Sequence, residues 1–233
     1  MDSTNTDYDI QVTDVVSKLQ STVKIRQAPT LAGDLVVSIG LSTAKNGSVR
    51  RDVGDIGQMF GLGYKSMAHG EVYRPTNDRR TGQAMNVLCS LTQSWMLHHF
   101  KDEFNEIMMD TKRYTEKFDV PYLEEMGGPD GLGSSIMFSK NLGNSSHYDY
   151  RDRTRSVSIW AERFPGTVSN WFFVLPNISV DGSKGVLVRL QHGTVISWDG
   201  RIHRHCTSVT KGVGDDHQDN HVYGCMFGSV GDN

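Results

Sequence analysis

The sequence predicts an α+β fold in which an N-terminal helical layer packs on one face of a jelly roll, or double-stranded β-helix. Apolar residues recur every three to four positions over residues 83–100 and 103–114, which is the period of helices with one buried face. A glycine-rich stretch at 127–133 ends this pattern. After it come seven short segments of strand composition, separated by turn residues: 135–142, 155–162, 170–176, 185–190, 193–199, 205–210 and 220–228. Helices followed by this many antiparallel strands indicate an α+β order with a jelly-roll core.

The first eighty residues give shorter patterns. Residues 14–23 have the apolar spacing of a short helix, and the β-branched run 35–41 predicts a strand. Asn-Gly at 46–47 predicts a tight turn. The glycine-rich stretch 50–73 is expected to be a structured loop with little regular structure, and the polar segment 76–80 is expected to begin the helical region.

Length and composition fit one compact globular domain. Of the 233 residues, 37% are hydrophobic and 22% are charged, which is enough to build a sizeable core. Within that domain we expect an N-terminal extension with supporting helices over 1–129 and a jelly-roll metal-binding core over 130–233. The net charge of -3 excludes a strongly basic nucleic-acid coat, although it leaves room for a local basic patch.

The number of cysteines and the hydropathy of the sequence indicate the cellular compartment that we expect for the protein. The three cysteines, Cys89, Cys206 and Cys225, are too few and odd in number for a disulfide framework. The N-terminus lacks the pattern of a signal peptide, and no apolar run approaches the roughly 20 residues that span a bilayer. We therefore expect a soluble intracellular protein without a membrane partner, compatible with a nuclear location.

His147 and Asp149 form the strongest candidate metal motif. Two residues apart on an extended segment, their side chains point to one face, because strand side chains alternate. A second histidine from a distant strand would complete a set of two histidines and one carboxylate, which is diagnostic of non-haem Fe(II) oxygenases. His205 and His203 have the same strand parity and both qualify. Tyr148 and Tyr150 are expected to point away from the metal face.

The order of these motifs resembles the Fe(II)- and 2-oxoglutarate-dependent dioxygenases, and more narrowly the TET/JBP branch. The resemblance covers roughly residues 130–228 and consists of a strand, His-x-Asp, several strands, and Asp199-Gly200-Arg201 followed by His205. The segment 205–209, His-Cys-Thr-Ser-Val, resembles the sequence around the distal iron ligand of TET proteins, which favours His205 over His203 as the third ligand. The resemblance implies Fe(II), dioxygen and oxidation of 5-methylcytosine, or a related 5-methylpyrimidine, in DNA.

The sequence leaves two cosubstrates open, because Asn220-His221 stands where the family has the Arg that binds the carboxylate of 2-oxoglutarate. His221, Lys211 or Arg201 could bind the carboxylate of 2-oxoglutarate in its place. The alternative is ascorbate, which an algal member of the family uses and which needs no such salt bridge. Asp152 falls where TET proteins place a polar residue that faces the target base.

A basic rim is expected around the metal, formed by Arg151, Arg153 and Arg204. Such a rim would contact DNA phosphates, although an ordinary solvated edge gives the same pattern. Two further functions stay open. One is an Fe(II) oxygenase that hydroxylates a protein side chain or a small metabolite, and the other is a jelly-roll binding module without catalysis.

Overall fold

The computed structural model describes residues 23–40, 55–73, 90, 92–131, 133–179, 185–209 and 221–229. Ten strands and two helices have defined bounds, and residues 92–99 are also helical. The strands are β1 (Val23–Gln27), β2 (Ile56–Ser66), β3 (Glu71–Tyr73), β4 (Ser135–Gly143), β5 (Ser156–Glu162), β6 (Trp171–Leu175), β7 (Val186–Arg189), β8 (Thr194–Trp198), β9 (Cys206–Val209) and β10 (Val222–Gly228). The helices are α1 (Pro29–Gly40) and α2 (Lys101–Phe118).

The strands form two antiparallel sheets. The major sheet has the order β1-β8-β5-β10-β4-β2-β3, and the minor sheet has the order β7-β6-β9. Apart from the β2–β3 hairpin, strands next to each other in the major sheet are not consecutive in sequence, as in a jelly roll. All seven strands predicted between residues 135 and 228 are present, so the jelly-roll prediction is confirmed.

Side chains of the major sheet alternate between its two faces, and each face contributes to a hydrophobic core of its own. On β5, Val157, Ile159 and Ala161 face the helices, whereas Trp160 faces the minor sheet. The helix-side core also contains Phe104 and Ile107 of α2, and α1 packs against β5 and β10. The helical layer therefore covers the outer face of the major sheet, and the inner face is left to build a site.

The predicted strand at 35–41 is wrong, because residues 29–40 form α1. Pro29 occupies the first helical position, where its fixed φ and missing N–H suit a helix start. Leu31 and Ala32 are buried on the sheet, so tertiary packing outweighs the strand propensity of the β-branched residues.

The predicted loop at 50–73 is also wrong over its described part, since β2 and β3 extend the major sheet there. The glycines that suggested a loop permit close approach between strands. A Cβ on Gly57 would lie 2.3 Å from the carbonyl oxygen of Asn141, and one on Gly63 would lie 2.3 Å from that of Ser134. The strands of the N-terminal part thus pair with those of the C-terminal part.

Several early predictions lie outside the described residues: the helix over 14–22, the turn at 46–47 and the helix start at 76–80. Of the predicted helix over 83–100, residues 92–99 are helical, and Phe100 interrupts the helix before α2 begins. None of the described helices is long and apolar enough to cross a membrane.

Candidate metal centre

His147, Asp149 and His205 converge at one end of the two sheets. His147 and His205 form an isolated antiparallel bridge in which each backbone N–H donates to the other's carbonyl, over 3.0 and 2.9 Å. The Asp149 carboxylate lies between the two rings, with Oδ1 at 3.4 Å from His147 Nε2 and Oδ2 at 3.1 Å from His205 Nε2. One donor atom from each residue falls within 4.8 Å of the other two. The arrangement therefore offers three ligand atoms on one side of a single cation.

The hydrogen bonds of the two rings orient the coordinating nitrogens. His147 Nδ1 lies 2.8 Å from the carbonyl oxygen of Ser145, and His205 Nδ1 lies 2.9 Å from that of His203. A carbonyl can only accept, so each Nδ1 carries the proton and donates it. In a neutral ring this leaves the Nε2 lone pair facing Asp149, which is how protein carbonyls orient metal-binding histidines.

The Asp149 carboxyl favours its negatively charged form, which is the form that binds a cation. Burial by itself raises the pKa of this carboxyl, but when the two rings are protonated on Nε2 as well, the hydrogen bonds and positive charges of His147 and His205 hold the pKa below its usual range. Two imidazole lone pairs and a carboxylate this close repel one another unless protons or a metal lie between them. Two imidazoles and one carboxylate are the donor set of non-haem Fe(II) centres, so these residues fit that metal.

A tight turn holds the two ligand segments together. Asp199 accepts from the backbone N–H and Nε of Arg201, over 3.0 and 2.9 Å, and its own carbonyl accepts from the N–H of His203. Within this turn the carbonyl oxygen of Gly200 accepts from the backbone N–H of Asp149 over 2.9 Å. The turn therefore fixes the position of Asp149 relative to His205.

His203 stands outside the three-residue group. Its backbone carbonyl orients His205, but its own Nε2 is buried without a hydrogen-bond partner among the described residues. Burial lowers the pKa of His203. Of the two histidines that the sequence left open, the structure brings His205 to Asp149.

A cavity of about 390 Å3 opens beside the three residues, between the inner face of the major sheet and the minor sheet. Its size lies within the range of sites that enclose small molecules. Most of the exposed wall surface is apolar and includes four aromatic and three methionine side chains, while eight further described lining residues carry hydroxyl, amide, carboxyl or imidazole side chains. The described lining comprises Asp55, Met59, Met137, Ser139, Leu142, Asn144, His147, Tyr148, Asp149, Ser158, Trp160, Phe173, Trp198, His205, Thr207, Gly224, Cys225 and Met226.

The structure does not bring the predicted cosubstrate residues to this wall. Asp152 accepts a hydrogen bond from Ser156 Oγ over 2.7 Å; its burial and the charge of Asp149 raise the pKa of its carboxyl to about 7. Arg201 is paired with Asp199, and His221 Nδ1 lies 3.1 Å from the side-chain amide of Asn141. None of these three side chains lines the described part of the cavity. Lys211 lies outside the described residues.

The predicted basic rim separates into two groups. The guanidinium of Arg153 lies over the ring of Tyr114 on α2, 4.8 Å from its centroid, and therefore faces the helix. Arg151 and Arg204 are exposed, and Arg204 donates to the carbonyl of Ser146 over 3.2 Å. Only these two of the three predicted rim arginines are presented to solvent.

The expectation that Tyr148 points away from the site is wrong, since it lines the cavity. His147 forms only an isolated bridge, residues 148–149 belong to no strand and a turn begins at Tyr150, so the strict alternation of a strand does not hold for Tyr148 and Tyr150. Sequence reasoning also missed Ser139 and Ser158. Their inward direction follows from the register of β4, β10 and β5, which the sequence does not reveal.

No protein-family model and no curated protein matches this sequence. Among solved structures, the chain is similar to NgTET1 in complex with 5mC DNA, at 13% identity and a TM-score of 0.54, over 90% of this chain and 72% of that one. An oxidoreductase of the 2OG-Fe(II) oxygenase family from Burkholderia pseudomallei matches at 14% identity and a TM-score of 0.49, over 95% and 92%. A prolyl-4-hydroxylase from Pseudomonas putida matches at 10% identity and a TM-score of 0.48, over 94% and 98%. At such identities the likeness shows the jelly-roll fold alone.

Proposed function

We propose that the chain is an Fe(II)-dependent oxygenase that modifies a 5-methylpyrimidine, such as 5-methylcytosine, in DNA. The observation that carries the proposal is the convergence of His147, Asp149 and His205 beside a largely apolar cavity. A structural metal site is normally closed by four protein ligands, whereas three ligands on one side leave positions for reactants.

The residues of the site have distinct tasks. His147 and His205 would hold the metal through Nε2, and Asp149 would hold it through its carboxylate. When bound, Fe(II) with dioxygen and a reducing cosubstrate supplies the oxidation of an unactivated C–H bond. The wall formed by Phe173, Trp160 and Trp198 excludes water and offers an apolar surface to a methyl group.

Two observations support DNA as the substrate. The fold is similar to that of NgTET1, which was solved with 5mC DNA. The exposed Arg151 and Arg204 lie in the segments that carry the ligands, where they can contact phosphates. A base inside a duplex cannot reach an enclosed cavity, so the target nucleotide has to be flipped out of the stack.

The polar groups of the cavity favour a cosubstrate without a large negative charge. None of the described lining residues is Lys or Arg, and burying an unpaired carboxylate is costly. Ser139 and Ser158 present hydroxyls to the cavity from the two strands that flank β10, where Ser139 pairs with Gly224 and Ser158 pairs with Met226. This lining supports ascorbate over 2-oxoglutarate as the cosubstrate, and Lys211 is the remaining candidate partner for a carboxylate.

The formation of a modified base in DNA is the measurement that tests the proposed function. Purified protein is incubated with Fe(II) and dioxygen, with ascorbate or 2-oxoglutarate, and with duplex DNA that contains either 5-methylcytosine or cytosine. We expect a modified base only in methylated DNA, and no product from Asp149→Ala. The matched control Asp102→Ala removes an exposed carboxylate on α2 that does not line the cavity, and it should retain product formation.

Other outcomes separate the alternative functions. Cosubstrate consumption that depends on a peptide or metabolite, with DNA unchanged, would reassign the substrate. Protein that binds no Fe(II) and consumes no cosubstrate would instead support a jelly-roll binding module without catalysis.

A further inference from the structure

Tyr148 and Tyr150 stack on each other at the mouth of the cavity. Their ring centroids are 5.0 Å apart and their planes differ by 24°. Tyr148 lines the cavity, whereas Tyr150 is 73% exposed. The two rings, which we call the tyrosine pair, therefore form a continuous aromatic surface from the cavity to solvent.

The tyrosine pair contributes little to the cores of the protein. Neither residue belongs to the two hydrophobic clusters that hold the sheets and helices together. A single exposed aromatic side chain needs no explanation. A stacked aromatic pair beside a metal-binding triad is different, because it presents an ordered flat surface next to the place of reaction.

The backbone that positions the metal ligands also positions this pair. Tyr148 stands between His147, which is bridged to His205, and Asp149, whose N–H donates to Gly200. Tyr150 follows Asp149 directly at the start of a turn. The rings are thus held in place before any ligand arrives, which reduces the entropy lost on binding.

Positive charge lies next to the tyrosine pair. Arg151 follows Tyr150 in sequence and is exposed. Arg204 is exposed as well, and its guanidinium donates to the carbonyl of Ser146, two residues before Tyr148. Aromatic rings flanked by exposed cations match the requirements of an unpaired nucleic-acid strand, where bases stack on the rings and phosphates contact the cations.

We propose that the tyrosine pair is a stacking surface for an unpaired base of a nucleic-acid strand at the entrance of the cavity, with Arg151 and Arg204 contacting its phosphates. The inference rests on the proposed function, because the strand is the one that delivers the target base. It adds a binding surface that lies outside the metal-binding triad and outside the predicted cosubstrate residues.

Anisotropy of a labelled single-stranded oligonucleotide tests this surface with the metal-loaded protein. Tyr150→Ala is expected to weaken binding on the order of tenfold, because base–aromatic stacking contributes substantially for each base. Tyr150→Phe should bind like the wild type. The control is Phe164→Ala, since Phe164 is another exposed aromatic side chain with an arginine, Arg163, over its ring. It does not line the cavity and should leave binding unchanged.

Two further measurements complete the test: one removes the bases from the oligonucleotide, and the other removes a positive charge from the protein. If the base stacks on Tyr150, an oligonucleotide of abasic sites should bind wild type and Tyr150→Ala equally. Arg204→Gln should reduce the slope of log affinity against log salt by about 0.7, whereas Tyr150→Ala should leave the slope unchanged.

The outcomes distinguish this inference from the proposed function. Wild-type binding that Tyr150→Ala leaves unaltered overturns the stacking surface and leaves the proposed function standing. A wild type that binds no DNA overturns both. Binding of a proline-rich peptide that depends on Tyr150, without DNA binding, would reassign the surface to a protein partner.

Discussion

The backbone N–H of Asp149 donates to the carbonyl oxygen of Gly200 over 2.9 Å, which joins two segments fifty residues apart in sequence. A Cβ on Gly200 would lie 3.0 Å from Asp149 Cβ, 3.1 Å from Asp149 Oδ2 and 3.3 Å from His205 Cε1. The turn therefore packs directly against two of the three proposed metal ligands. A side chain at this position would press on the ligand side chains, which would have to shift by a few tenths of an ångström to admit it.

Gly200→Ala should weaken binding of Fe(II) or Co(II) by about tenfold or more, because the added methyl group displaces Asp149 or His205 from the ligand position. Isothermal titration under anaerobic conditions measures this. Gly33→Ala is the matched control, since a Cβ there meets nothing within 4 Å and the residue lies in α1. The control should bind metal normally and gain about 1 kcal/mol of stability. Unchanged affinity in Gly200→Ala would show that the turn does not set the ligand geometry.

His205→Ala should lower metal affinity by more than about 100-fold, whereas His203→Ala should change it by less than about threefold. The difference follows from geometry, because His205 Nε2 lies 3.1 Å from Asp149 and the contribution of His203 is its backbone carbonyl. Alanine at 203 keeps that carbonyl and removes a buried nitrogen that has no partner among the described residues. Equal losses in the two variants would mean that the third ligand is misassigned.

Asp152→Asn should stabilise the chelator-treated protein more at pH 8 than at pH 5. Burial, with the charge of Asp149, raises the pKa of Asp152 to about 7 in the folded state, whereas the unfolded value is about 3.9. The folded protein therefore favours the neutral acid. This contribution to stability is complete below the unfolded pKa and is lost as pH rises through the folded pKa.

Asparagine is neutral at both pH values and can still accept the hydrogen bond from Ser156. Thermal unfolding should show that the variant's gain in midpoint over the wild type is larger by about 3 °C or more at pH 8 than at pH 5. A midpoint difference that is independent of pH would argue against a neutral Asp152.

Ser139→Ala and Ser158→Ala should each raise the KM for ascorbate by about fivefold, since each removes one neutral hydrogen bond. Ser208→Ala is the control, because Ser208 is exposed on β9 and does not line the cavity. Quenching of the fluorescence of Trp160 and Trp198, which line the cavity, measures ascorbate binding independently of turnover. Tight, pH-independent binding of 2-oxoglutarate that disappears in Lys211→Ala would reverse the choice of cosubstrate.

The strands and the His147–Asp149 pair could be predicted because their information is local, whereas in the sequence only the family resemblance favours His205 over His203. Turn residues delimit β4 to β10, and the two-residue spacing of His147 and Asp149 fixes a common face. The N-terminal elements could not be predicted in this way. Whether residues 29–40 form a helix or a strand depends on the surface that buries Leu31, and the glycines of β2 have meaning only beside their partner strands.

Strand register decides which side chains line the cavity, and register depends on residues that are far apart in sequence. Ser139 and Ser158 lie on either side of β10, and Asp55 reaches Ser145 from 90 residues away. Likewise, nothing local distinguishes Arg153, which faces Tyr114, from the exposed Arg151. Such residues emerge once the strand order is known.

The central claim is that His147, Asp149 and His205 bind Fe(II), and an anaerobic Fe(II) titration of wild type and Asp149→Ala tests it most directly. We expect one Fe(II) per wild-type chain and none in Asp149→Ala, with the same far-UV circular dichroism, because removing a carboxylate from between two imidazoles leaves both cores intact. Stoichiometric Fe(II) in Asp149→Ala, or none in the wild type, would contradict it.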